Sequence, residues 1–140
     1  MIYLLDTNVI SELRRIRNGR GDRNVETWAN GVRAEDLFLS AITVEELEIG
    51  VLLIESRDTS QGALLRKWLD RYLLPAFSGR ILPIDTQVAL RSATFHVPHP
   101  YPVRDGLIAA TALVHGMTVA TRNAAHFELR GAAVFNPWQG

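Results

Sequence analysis

A chain of 140 residues, 47% of them hydrophobic, is read as one domain, residues 1–140, with a core of its own. Its 15 basic and 15 acidic residues cancel, which excludes a surface given over to gripping nucleic acid but leaves room for a local basic rim. The absence of cysteine excludes disulfides and thiolate zinc sites, and the lack of a signal-like start or a ~20-residue apolar run predicts a soluble, cytoplasmic protein outside any membrane.

Ile2 to Leu5 is a short apolar run, suited to a buried strand, and it stops at Asp6. Val9, Ile10 and Leu13 then resume at helical spacing, so Asp6 stands where a strand gives way to a helix. Arg14 to Arg23, with five arginines and two glycines, reads as a loop, either solvated or an arm toward phosphates or a partner. Asn24 to Gly31 reads as a short helix with Val25, Trp28 and Ala29 inward. Leu37-Phe38-Leu39 is the second strand. Thr43 then reads as a helix N-cap with Glu46 three residues later, a capping box, and the helix runs to about Glu55. Leu64, Leu65, Trp68, Leu69, Tyr72 and Leu73 mark an amphipathic helix that Pro75 ends, forming an antiparallel hairpin with its predecessor.

Arg80 to Ile84 is a strand whose Pro83 marks its end or a sheet edge. Asp85 opens the next helix, and His96 to Pro102 is a proline-broken loop whose histidines need no metal to explain them. Pro102 starts a helix with Asp105 in its first turn, so apolar beyond that point that it belongs at the centre of the domain. Gly116 stops it. Met117 to Ala120 is a strand, Thr121-Arg122-Asn123 follows with a helical turn through His126 and Phe127, and Ala133 to Phe135 is the last strand. Short apolar strands alternating with helices predict an α/β fold, a mostly parallel sheet covered on both faces.

Parallel strands bring their carboxyl ends to one edge. Asp6, Glu46, Asp105 and Asn123 lie at strand-to-helix junctions or buried helix starts and would meet there. Each has an ordinary reading as a cap or turn former. Together, like charges raise one another's proton affinity unless a cation joins them. Oxygen ligands suit Mg²⁺ or Mn²⁺, and such an ion suits phosphodiester hydrolysis.

Leu4 to Glu12, Leu39 to Leu47, Gly79 to Pro83, Asp105 to Ala112, Val119 to Asn123 and Val134 to Trp138 together resemble PIN-domain ribonucleases, specifically the VapC/FitB-type toxins of bacterial toxin–antitoxin pairs. The resemblance covers essentially the whole chain in order. It implies a PIN-like three-layer αβα domain and a metal-dependent endoribonuclease. By the same resemblance Asp6, Glu46 and Asp105 are the metal carboxylates, and Asn123 is the fourth site residue, where the family carries Asp or Asn. Thr7, Asn8 and Thr121 lie beside the acids, either hydrogen-bonding them or merely capping. Arg104 and Arg122 flank them. The family also implies an RNA substrate, a homodimer and a cognate antitoxin that carries the assembly onto operator DNA. The neutral Asn123 leaves a second reading, a catalytically silent PIN-like module that only binds its partner. A phosphoryl-accepting receiver domain would want a lysine beside the acids, and Lys67 lies on the amphipathic helix instead.

Overall fold

The computed structural model describes residues 1–140. Five strands form one sheet in the order β3-β2-β1-β4-β5, with every pairing parallel. They are β1 (Tyr3–Leu5), β2 (Leu37–Ser40), β3 (Ile81–Leu82), β4 (Thr118–Ala120) and β5 (Val134–Phe135). The chain winds outward from β1 to β3, then returns to the other side of β1 to lay down β4 and β5. Loops leaving β1 and β4 therefore diverge, and a crevice opens between the carboxyl ends of these two strands. Leu5 is in register with Ala120, so Asp6, one residue beyond β1, comes level with Thr121, one beyond β4. Asp6 N–H still donates to the Ala120 carbonyl at 2.9 Å, and Thr121 N–H to the Phe135 carbonyl at 3.0 Å, so the sheet holds both residues rigidly.

Alternation along the strands feeds two cores. Tyr3 and Leu5 face one side, where they meet Val9 and Ile10 of α1 (Thr7–Arg17) and Leu47 and Val51 of α3 (Ala41–Glu55). Leu4 and Val119 face the other, against Val88 of α6 (Thr86–Ala93), Ile108 and Ala109 of α7 (Val103–His115), and Phe127 of α8 (Ala124–Glu128). This is the expected three-layer αβα arrangement, with a sheet parallel throughout. Covering both faces explains why its strands read as unbroken apolar runs. No helix is long and apolar enough to cross a membrane.

Two expectations change. Helix α1 continues to Arg17, so only Asn18 to Asp22 is a connection before α2 (Arg23–Gly31). Within the arginine run, the Arg14 and Arg17 guanidinium groups lie over the Trp68 and Tyr72 rings, at 5.7 and 3.4 Å. Nor does Pro75 end its helix. Helix α4 (Thr59–Trp68) passes through a π-helical turn (Leu69–Leu73) into α5 (Leu74–Ala76). The wide turn, closed by Leu74 N–H on the Leu69 carbonyl, gives the proline ring room one residue later.

The α3–α4 hairpin is fastened by Arg66. Its guanidinium donates to both oxygens of Glu48, at 2.7 and 2.8 Å, and to both of Glu55, at 3.2 and 3.0 Å. This fork holds Glu48 below the usual carboxylate range. Gly62 lets the helices touch: a Cβ there would lie 2.6 Å from Glu55 Cα. Gly116, at φ +67°, closes α7 in the left-handed conformation.

Candidate active site

Four aspartates cap helices in this chain, and Asp6 differs from the rest. Asp22 accepts N–H groups from the second and third residues of its helix, Asn24 and Val25. Asp58 and Asp85 accept from the third, Gln61 and Val88. That is the usual geometry of an N-cap. Asp6 takes only Thr7 N–H, from the first helical residue, at 2.8 Å. Its other oxygen turns across the crevice to β4, where Thr121 Oγ1–H donates at 2.8 Å, and Asn8 Nδ2 adds a longer bond at 3.3 Å. Asp6 as a residue is 7% exposed. Burial raises its pKa, and the charges of Asp105 and Glu46 raise it further, against the lowering effect of Thr121 and Thr7.

Glu46 reaches the site from α3, but through no capping box. Helix α3 begins at Ala41, with Ser40 as its cap, so Thr43 lies inside the first turn, fully buried and with its hydroxyl unpartnered. The expectation failed because Ser40 ends β2 and already meets the Ile42 N–H at 3.0 Å. Glu46 is thereby free for another partner, and its Oε1 accepts Thr7 Oγ1–H at 2.6 Å. Thr7 thus links two acids, to Asp6 through its N–H and to Glu46 through its hydroxyl.

Asn123 and Asp105 line an open cleft of about 760 Å³ beside these two. Thr121 Oγ1 accepts Asn123 N–H at 3.0 Å while donating to Asp6, which fixes the Asn123 backbone against the buried acid. Asn123 precedes α8 without using its side chain as a cap, so the amide is left to the cleft. Asp105, in the first turn of α7, meets His126 Nε2 at 3.0 Å through Oδ2. Sequence reading assigned His126 only to a helical turn. Its one sequence signal is a histidine three residues beyond Asn123, on the same turn.

Of the flanking cations, Arg122 lines this cleft with Asp105 and Asn123, and Arg104 does not. Arg104 pairs with Glu45 at 3.5 Å, and Arg122 stacks on Trp138 at 5.2 Å. Lys67 lines a separate cleft with Arg14 and Tyr72, so the receiver-domain reading lacks its lysine.

The chain matches the PIN-domain family model over residues 3–131. The chain belongs to the PIN-domain family. Among curated proteins it is similar to toxin FitB of Neisseria gonorrhoeae, 45% identical over 98% of this chain and 99% of that one. It is also similar to a VapC ribonuclease of Sinorhizobium fredii, 38% identical over 99% of each. Two solved structures follow it closely at 41% identity. They are FitAcB from Neisseria gonorrhoeae, with a TM-score of 0.89 over 99% of this chain and 100% of that one, and FitAB bound to a DNA fragment, at 0.86 over 98% and 96%.

This PIN domain thus places two of its four expected site residues on the walls of one crevice, joined by Thr7, and the other two along the adjoining cleft. As they stand, no three of its His, Asp and Glu side chains close into a ligand set. The donor chemistry nevertheless fits a hard divalent cation. It is oxygen-only and negatively charged, and Asp6 carries a like-charge penalty that a cation would relieve. Glu46 and Asp105 each commit one carboxylate oxygen to a protein partner and keep the second.

Thr121 is the joint of the PIN-domain site, fully buried and bonded in both directions. Thr121→Val is therefore expected to cost about 1–3 kcal/mol, because Asp6 and the Asn123 N–H both lose a buried partner. Loss of a donor that favours the carboxylate also pushes Asp6 further up, so the acid limb of a pH–rate profile moves to higher pH. Thr121→Ser keeps the hydroxyl and both properties. Urea unfolding and a pH–rate profile check this, and equal stability of Val and wild type would refute the joint.

Proposed function

We propose that the chain acts as one PIN domain, residues 1–140, and is a Mg²⁺- or Mn²⁺-dependent endoribonuclease, the toxin of a toxin–antitoxin pair. The observation that carries this is the carboxylate of Asp6. A capping aspartate ordinarily satisfies the second or third N–H of its helix, whereas this one gives its helix only the first, turns its other oxygen to the Thr121 hydroxyl across the crevice, and is buried beside two more acids. Such an arrangement lowers stability in isolation and is suited to holding a cation. Membership of the PIN family and the similarity to a VapC ribonuclease support the nuclease reading. Similarity to FitB, and to FitAB on DNA, supports an antitoxin partner that brings the assembly to operator DNA.

Asp6, Glu46 and Asp105 would hold the ion, and Asn123 would meet it or its waters with a neutral amide. The ion supplies a lowered pKa for water and neutralises charge developing on phosphorus. The chain's own groups do the rest. Thr7 and Thr121 fix the carboxylate oxygens, so orientation precedes substrate binding. Glu46 Oε2, which has no protein donor, is available to accept the proton of the attacking water. The open cleft admits a strand rather than enclosing a small molecule.

The test is the purified chain, free of antitoxin, incubated with total RNA in Mn²⁺, in Mg²⁺ and in EDTA. Discrete fragments that require metal are expected. Fragments unchanged in EDTA would overturn metal dependence, and no cleavage in either metal would favour the silent binding module that the neutral Asn123 leaves open.

A further inference from the structure

The His126 side chain is 35% exposed, at the edge of the cleft. Its orientation is nonetheless fixed on several sides. Its ring stacks on that of Tyr101, with centroids 4.7 Å apart and planes 18° from parallel, and meets the Phe127 ring edge-on at 5.6 Å. Tyr101 Oη–H donates to the His126 carbonyl at 3.0 Å, and His126 N–H donates to the Asn123 carbonyl at 3.1 Å. The Arg130 guanidinium lies over the Tyr101 ring, 4.3 Å from its centroid. Tyr101 is itself 7% exposed, and burial followed by the Asp105 charge pushes its phenol up to about 12, so it remains a neutral donor. So ordered, the ring makes one side-chain hydrogen bond: Nε2 to Asp105 Oδ2 at 3.0 Å, from α8 to α7 across the cleft.

A carboxylate in the first turn of a helix ordinarily turns to that helix's own free N–H groups. Asp105 instead faces an imidazole 21 residues away in sequence, which engages one oxygen and leaves the other to the cleft. We propose that His126 is a positioning residue that donates its Nε2–H to Asp105 Oδ2 and so holds Asp105 Oδ1 toward the divalent cation. This rests on the reading of Asp105 as a ligand. The chemistry mirrors the usual outer-shell arrangement, in which a partner's hydrogen bond fixes a ligating group, except that here the histidine orients the carboxylate.

Isothermal titration of Mn²⁺ into metal-free protein tests it, using wild type, His126→Gln, His126→Asn and His126→Ala. Glutamine can place an N–H near Nε2, and asparagine only near Nδ1. Asn and Ala are expected to weaken Mn²⁺ binding about tenfold, with Gln close to wild type. Melting temperatures in EDTA separate this from general damage, since loss of packing would lower them for Gln and Asn alike. Equal affinity of all four proteins, or Gln no better than Asn, overturns the proposal. Imidazole ¹⁵N shifts of the metal-free protein give a second reading that needs no ion. A proton on Nε2 is expected, and a neutral ring carrying it on Nδ1 removes the donor and overturns the inference while leaving the nuclease reading intact. A wild type that binds no Mn²⁺ defeats the ligand reading, and the inference falls with it.

Discussion

Asp6→Asn is expected to cut RNA cleavage about a thousandfold and, in EDTA at neutral pH, to melt at a higher temperature than wild type. The first effect follows from removing one charge of the carboxylate set, since an ion at a transferring phosphoryl group supplies several kcal/mol of transition-state stabilisation. The second follows from the direction of the Asp6 pKa. Burial, Asp105 and Glu46 raise it above its unfolded value near 3.8. The folded state then binds the proton more tightly than the unfolded state. Stability from this group is full below the unfolded pKa, falls as pH rises through the folded pKa, and stays reduced at neutral pH. Asparagine keeps the side-chain shape without the buried charge. Mn²⁺ should reverse the order, raising the melting temperature of wild type and leaving Asp6→Asn unmoved. Thermal melts at several pH values, with and without Mn²⁺, check both signs. A mutant less stable than wild type in EDTA would show that the hydrogen bonds Asp6 accepts on both oxygens outweigh the cost of its buried charge.

Phe127→Ala is expected to lower stability by about 3–5 kcal/mol, the range for deleting a fully buried aromatic side chain. Phe127 is 1% exposed and packs into the core beneath Leu4, Val119 and Ile108. Its helix, Ala124–Glu128, has five residues, too few to be stable in water alone. That aromatic ring therefore anchors the turn carrying His126 and following Asn123. Cleavage should fall along with stability, although Phe127 faces away from the cleft. Urea unfolding measures the first, and RNA cleavage well below the unfolding transition measures the second. Full activity at reduced stability would mean that α8 stays seated without it.

Much of the candidate site is legible in the sequence because its residues sit at predictable places. Asp6 ends an apolar run, Asp105 opens an apolar helix, and Asn123 follows a strand. Periodicity marks such junctions whatever the residues do there. Glu46 is matched through the family resemblance, and its local reading as one half of a capping box fails, since Ser40 rather than Thr43 caps α3. Both hydroxyls fit a cap, and only the end of β2 decides between them. Arg14 and Arg17 looked like loop residues because charge is a weak guide to where a helix stops. In the fold they lie over Trp68 and Tyr72, rings supplied by a helix some fifty residues later.

By itself, the sequence determined the local matters: where strands stop, which faces are apolar, and that acids stand at the turns. Those follow from nearest neighbours and from the period of apolar residues. Only the tertiary structure decided what each polar group faces. The strand order puts β1 beside β4, so Thr121 reaches Asp6 over a separation of 115 residues. It puts α8 against α7, so His126 reaches Asp105. Hydrogen bonds act over about 3 Å in space and carry no trace in sequence distance, so the partners of these acids could be read only once the sheet was assembled.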